Sequence, residues 1–311
     1  MKLVFMGTPD YAVNTLEALM AAGHTVAAVF AQPDKPVGRK HIITPPPVKV
    51  CAENHGITVY QPNTLRDGKA EEILREIAPD AIVVVAYGKI LPKEILDIPK
   101  YGCVNGHASL LPKYRGSAPI QQAIISGETV TGVTAQLMDE GIDTGDILAT
   151  AETKIGTDET AEELFSRLSG LTAELLVNTL ADLERGNITP QKQDEEKASY
   201  APIIKKEMAQ LDFENKTATE IHNAVRGYYS WPCAYFFLEG KRIKVIRAAV
   251  SDNTDARAGT VIKSGDSLVI ACKDGTAVEL VTVQPEGSKP MTAKQMLCGR
   301  PIAQGTVIGC E

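Results

Sequence analysis

The sequence predicts an α/β protein: a mostly parallel sheet with crossover helices, followed by a small barrel of short strands. Three observations carry this expectation. Over the first two-thirds of the 311 residues, short apolar runs alternate with helical patterns, the grammar of a parallel sheet. Residues 190–206 then sit in a polar stretch (Gln191, Lys192, Gln193, Asp194, Glu195, Glu196, Lys197) that reads as a linker. Beyond it the chain breaks into short strands joined by tight turns, as small barrels do.

Residues 3–6 form the first expected strand. Residues 1–7 are apolar but short and run at once into Thr8-Pro9-Asp10, so they read as a buried strand rather than a signal peptide. Thr8 is expected as a cap and Pro9 as the first residue of a helix over 11–22. Strands follow at 25–31 and 57–60, with helices at 47–54 and 69–77. Residues 81–86, Ala-Ile-Val-Val-Val-Ala, are apolar without alternation, as a strand buried on both faces requires. Residues 102–105 make a brief strand, and residues 131–138 a strand with two distinct faces. Residues 161–184 form a long helix whose Leu164, Leu168, Leu171 and Leu175 make one apolar stripe, ended by Gly186. The first domain is thus Rossmann-like and covers 1–189. The second, 207–311, holds a helix near 217–226, strands at 234–238, 242–248, 259–262, 267–271 and 277–283, and a last helix over 293–297.

Composition bounds the function. Hydrophobic residues make up 44% and charged residues 23%, and no apolar run approaches the ~18–20 residues that span a bilayer; no membrane role is expected. The six cysteines contain no C-x-x-C pair, so reduced cytosolic thiols are expected rather than a zinc site or disulfides. The net charge of −7 argues weakly against nucleic acid, but residues 205–311 carry 14 Lys and Arg against 12 Asp and Glu. A second domain of that balance with local basic runs can touch phosphates.

Of the five histidines, His107 stands apart because Asn105 precedes it by two positions. In extended chain, residues two apart point to the same side. An amide there can donate to a developing oxyanion, and an imidazole can move a proton near neutral pH. The spacing alone fits equally well a polar pair that satisfies loop backbone. Ser109-Leu110-Leu111-Pro112-Lys113-Tyr114-Arg115 follows directly. Residues 139–146 then carry four carboxylates, with Gly141 and Gly145 bracketing Ile142-Asp143-Thr144. A solvated acidic loop or a cation site explains them; so does one carboxylate set beside the imidazole to orient it.

Asn105-Gly106-His107-Ala108-Ser109-Leu110-Leu111-Pro112, followed by Asp139-Glu140-Gly141-Ile142-Asp143-Thr144-Gly145, resembles the formyltransferase superfamily, whose members use 10-formyltetrahydrofolate. The resemblance implies a catalytic trio of Asn105, His107 and Asp143. It also implies a folate site at Ser109, Leu110, Leu111 and Pro112, with Tyr87, Gly88, Ile90 and Leu91 lining the pterin pocket, and it requires no metal. Gly106 departs from the branched apolar residue usual in the family. Its position should face away from the site.

A second set of residues bears on the formyl acceptor. Phe5-Met6-Gly7-Thr8-Pro9-Asp10-Tyr11 resembles the methionyl-tRNA formyltransferases, and its single glycine falls short of a dinucleotide fingerprint. In those enzymes the insertion matching residues 32–41 enters the acceptor stem of the initiator tRNA. Carried over, Arg39 reads the stem, and Lys35 and Lys40 contact phosphates. Ile221-His222-Asn223 and Trp231-Pro232-Cys233-Ala234 resemble the family's carboxy-terminal domain, an open OB-like barrel. Lys205, Lys206, Lys241, Arg242 and Lys244 are its candidate backbone contacts. The implied protein is a cytoplasmic monomer with initiator methionyl-tRNA and folate as partners. A formyltransferase for a small amine is the nearest alternative, and a non-catalytic folate- or RNA-binding module the more distant one.

Overall fold

The structure, a computed structural model, describes residues 1–38 and 40–309. Arg39, the expected reader of the acceptor stem, lies outside the described residues. The chain divides into two compact units. One gathers residues 1–119, 130–154 and 165–201; the other gathers 120–129, 155–164 and 202 onward.

In chain order the elements are β1 (Lys2–Gly7), α1 (Val13–Ala21), β2 (Thr25–Phe30), β3 (Lys35–Val37), β4 (Ile42–Thr44), α2 (Pro47–Asn54), β5 (Val59–Tyr60), α3 (Lys69–Ile77), β6 (Ala81–Val85), α4 (Lys93–Leu96), β7 (Cys103–His107), β8 (Arg115–Gly116), α5 (Pro119–Ile125), β9 (Val130–Leu137), β10 (Asp146–Lys154), α6 (Ala161–Arg185) and β11 (Tyr200–Ala201). The main sheet of the first unit runs β10-β9-β7-β6-β1-β2-β5. Pairing is parallel from β7 through β5 and antiparallel at β9 and β10, so the sheet is mixed and mostly parallel. Its centre is dry because its central strands carry apolar side chains to both faces. All five residues of β6 are buried. Val4, Met6, Phe30, Ile82 and Val84 pack with Leu74, Leu91 and Ile95 in one cluster. The β6–β7 pairing runs to Val84 opposite Asn105, while β7 stays paired with β9 through His107, which places Asn105 and His107 at the carboxyl end of the parallel strands.

Several expectations are corrected. Thr8 caps no helix. Its hydroxyl donates to the Tyr87 carbonyl at 3.0 Å, tying the end of β1 to the segment after β6. The first helix begins as a 3-10 turn, Asp10–Ala12, whose N-cap Pro9 has no side-chain cap bond. The buried stripe of α6 runs through Leu164, Leu168, Thr172, Leu176 and Leu180, while Leu171 and Leu175 are only half-buried. Each step of four overshoots a 3.6-residue turn by about 40°, so the buried stripe winds around α6 and leaves the straight line that the 4-3-4 spacing marks. Strand β10 carries no strong sequence signal because it is the sheet's outer strand and exposes alternate residues. Residues 35–37 and 42–44, expected as loop, pair as antiparallel strands with Lys35 opposite Thr44. Helix α5 also escaped the apolar pattern.

In the second unit, α7 (Ala218–Gly227) precedes β12 (Tyr235–Leu238), β13 (Lys241–Ser251), β14 (Val261–Lys263), β15 (Leu268–Ala271), β16 (Ala277–Pro285), β17 (Met291–Thr292) and α8 (Ala293–Gly299). These strands form one antiparallel sheet, ordered β12-β13-β16-β15-β14 with β17 on β16. Ile221 and Val225 of α7 and Met296 and Leu297 of α8 enter its core. Thr217 and Glu220 form a capping box at the start of α7, satisfying donors that the first turn leaves open. The buried Arg226 donates to the Gly156 carbonyl at 3.0 Å and to Asn223 Oδ1 at 2.8 Å, which anchors residues 155–164 in this unit.

Candidate active site

Asn105, His107 and Asp143 come together. Strand β7 aims the first two to one side, as two-residue spacing dictates. Asp143 arrives from the turn between β9 and β10, where its backbone is left-handed at φ 54°. Asp143 Oδ1 accepts from Asn105 Nδ2 at 3.4 Å and lies 3.5 Å from His107 Nδ1. Its Oδ2 accepts from the Gly116 N–H at 2.8 Å. The His107 side chain is 7% exposed and that of Asp143 14%, so charge there is only weakly screened by water.

The tautomer of His107 follows from its partners. Nε2 lies 2.9 Å from the Tyr114 carbonyl, which can only accept, so Nε2 carries a hydrogen. In neutral imidazole Nδ1 then presents a lone pair to Asp143. One further proton turns that contact into a charge-assisted one. The arrangement can therefore store a proton between imidazole and carboxylate beside an amide donor.

Two side chains hold this cluster and were not singled out from the sequence. Gln136, opposite Asn105 in the β7–β9 register, donates from Nε2 to Asp143 Oδ1 at 2.9 Å. A glutamine at a buried position of a two-faced strand is the signal that could have found it. Gln193, in the polar stretch after α6, donates from Nε2 to the carbonyls of Asp143 and Gly145 at 2.8 and 2.7 Å. Nothing in a polar run marks one residue for this task. Alongside, the buried Arg115 guanidinium donates to Glu195 at 2.7 Å and to Gln193 Oε1 at 2.8 Å, and Arg115 and Gly116 pair with Tyr200 and Ala201.

The expected folate segment is well ordered by its own bonds. Ser109 Oγ donates to the Lys113 carbonyl at 2.6 Å, and Thr134 Oγ1 bridges the Ser109 carbonyl and the Leu111 N–H. Ser109 and Leu111 are buried, and Leu110 and Pro112 half-buried. Tyr87 and Leu91 are buried, whereas Ile90 is 55% exposed. The Tyr87 carbonyl accepts from Thr8 and from Gln32 Nε2, which also reaches the Gly88 carbonyl. Burial pushes the Tyr87 phenol up to about 12, and its buried hydroxyl has no hydrogen-bond partner among the described residues. Ile90 and Leu91 also line a cleft of about 530 Å³ with Arg66, Glu71, Lys93 and Glu140.

The hairpin carrying Lys35 and Lys40 is exposed along both strands. Its foot is fixed: the Asp34 carboxylate accepts from Gln61 Nε2 at 2.7 Å and Lys49 Nζ at 3.0 Å, and these donors hold it below the usual carboxylate range. Among the described residues no three His, Cys, Asp or Glu side chains gather as a metal site would require, and no helix is long and apolar enough to cross a membrane.

Comparison with known proteins accords with this geometry. Residues 1–180 match the formyl transferase family model and residues 203–301 its C-terminal domain model. The methionyl-tRNA formyltransferase of Acidobacterium capsulatum is 49% identical over 99% of this chain and 100% of its own. That of Geotalea uraniireducens is 47% identical over 99% and 98%. Among solved structures, an N-formyltransferase from Helicobacter canadensis in complex with folinic acid and dTDP-3-aminofucose superposes with a TM-score of 0.68 at 22% identity, covering 92% of this chain and 99% of that one. At that identity the likeness shows the fold alone. The family models span both halves of the chain, and the close relatives are similar from end to end: the chain belongs to the formyl transferase family, among its methionyl-tRNA formyltransferases.

Proposed function

We propose that the protein transfers the formyl group of 10-formyltetrahydrofolate to the α-amino group of methionyl initiator tRNA, in the cytoplasm, for translation initiation. The observation that carries this reading is the Asp143-centred cluster. An amide, an imidazole and a carboxylate converge within 3.5 Å in a nearly water-free position, a donor set that suits acyl transfer to an amine. The folate would supply the one-carbon group and the tRNA-borne methionine the amine.

In this reading Asn105 Nδ2 donates to the formyl oxygen as it gains negative charge. His107 aids it by exchanging the Tyr114 carbonyl for that oxygen. Asp143 keeps the imidazole oriented and relays the proton lost by the attacking amine to N10 of the folate, so that the bond between the formyl carbon and N10 breaks and tetrahydrofolate leaves. Residues 109–112 hold the folate, with Tyr87, Gly88, Ile90 and Leu91 at its pterin end. The orphaned Tyr87 hydroxyl suits a polar ring, since buried polar groups are normally hydrogen-bonded. Lys35, Arg39 and Lys40 contact the acceptor stem. Residues 207–311 act as an OB-like platform for the tRNA backbone, residues 1–189 do the chemistry, and the working unit is a monomer.

The test is formylation itself. With 10-formyltetrahydrofolate, charged initiator tRNA should yield formylmethionine and charged elongator tRNA far less. Asn105→Ala should lower kcat by ~10²–10³, the cost of one lost oxyanion donor. No product on either tRNA overturns the reading, and an unchanged rate for Arg39→Ala favours a small amine as acceptor.

A further inference from the structure

We propose that Gln136 is a positioning residue for Asp143, fixing the carboxylate in the orientation that meets His107. The inference rests on the formyl-transfer reading above and adds a residue to that site. Gln136 is 1% exposed and faces Asn105 across the β7–β9 pair. Its Nε2–Asp143 Oδ1 bond, at 2.9 Å, is shorter than the contacts of that oxygen with Asn105 at 3.4 Å and His107 at 3.5 Å. The Gly116 N–H takes the other oxygen at 2.8 Å. An aspartate carboxylate turns freely about its last bond. Two short donors, one on each oxygen, leave a single orientation, and Gln136 supplies the one on the oxygen that faces the imidazole.

The far end of the same amide is the second observation. Gln136 Oε1 is buried and finds no hydrogen-bond partner among the described residues, a situation most buried polar atoms avoid. Turning the amide over would relieve nothing, because it would set Oε1 against Asp143 Oδ1, oxygen upon oxygen. The orientation is therefore dictated by Asp143, and the desolvated acceptor is its cost. Methionine has nearly the same length and shape and would carry no such cost. A group kept at the expense of stability is what a working site exhibits.

The variants Gln136→Met and Gln136→Glu test this. Gln136→Met removes the donor and keeps the volume. Its kcat should fall about tenfold or more with KM for folate and tRNA within about twofold, the pattern of an interaction used in the transition state. Its thermal midpoint should hold or rise. Gln136→Glu can donate the same bond only when protonated. His107 is the titratable group in contact with Asp143; its other partners, Asn105 and the Gly116 N–H, are neutral, and the neighbouring Arg115 is paired with Glu195. The activity of Gln136→Glu relative to wild type should therefore rise as pH falls from 8 to 6, while that of Gln136→Met stays flat. Wild-type kcat in Gln136→Met overturns the proposal, as does a lowered midpoint accompanying the loss, or the same pH trend in both variants. A crystal structure of Gln136→Met separates this inference from the reading it rests on. The Asp143 carboxylate should turn away from His107, and an unmoved carboxylate overturns the proposal whether or not the wild type forms formylmethionyl-tRNA.

Discussion

At Gly106 the missing side chain is filled from outside. A Cβ there would stand 2.6 Å from Thr172 Cγ2 and 2.8 Å from Leu176 Cδ1, so α6 lies closer to β7 than a branched residue would permit. The position faces α6, away from the side that Asn105 and His107 share, and its neighbours have closed on it. Gly106→Val should cost about 1–3 kcal/mol by overpacking, and Leu176→Ala added to it should recover part of that loss; denaturant midpoints of the single and double variants check both. His222 offers a pH test. Burial first, and Arg226 second, lower its proton affinity, while Asp158, at 3.2 Å, raises it. A histidine held below its unfolded value makes the unfolded chain bind more protons, so its contribution is present above about pH 6.5 and is lost as pH falls through that range. Protection factors of the α7 amides, with the intrinsic pH dependence of exchange divided out, should fall between pH 7 and 5, and His222→Gln should flatten that change.

Among the elements, the stretch after α6 works as a strap. Gln191 exchanges two backbone bonds with Ile147, at 2.7 and 2.9 Å. Gln193 holds the left-handed Asp143 turn, and Ser199 receives the Tyr114 N–H at 2.9 Å. Asp tolerates the left-handed region better than most residues, but a turn that sets a carboxylate beside an imidazole needs support from outside itself. Gln193→Ala leaves the Asp143 and Gly145 carbonyls without this donor and should cost about 1–3 kcal/mol. Exchange of amides 141–145 should rise with it and kcat should fall. Unchanged exchange there would mean the turn supports itself.

At the scale of the whole molecule, the local placement of charge matters more than its total. The net charge of −7 disfavours polyanions, yet cations cluster locally in the sequence at 241–244 and 35–40. Arg242 also lies over the Tyr235 ring at 5.5 Å, which holds that guanidinium in place. If these cations meet phosphates, tRNA affinity should fall steeply with salt. Replacing Lys241, Arg242 and Lys244 together should then reduce the log–log salt slope by about 0.7–0.9 for each phosphate no longer neutralised. A slope unchanged in the triple variant would assign these side chains to solvent.

The sequence by itself determined the elements that depend on local pattern. Apolar runs dictated β1, β2 and β6, Gly186 ended α6, and two-residue spacing set Asn105 beside His107. The distinctive segments 105–112 and 139–145 pointed to formyl transfer. Only the tertiary structure decided what depends on partners distant in sequence. Gln136 and Gln193 reach Asp143 from β9 and from beyond α6, Thr8 bonds to Tyr87 instead of capping a helix, and the stripe of α6 is set by which residues meet the sheet. The physical reason is that periodicity records which face of an element is buried. A hydrogen bond between residues far apart in the chain leaves no period, and a polar side chain reads the same in the sequence whether it ends in water or on a buried carboxylate.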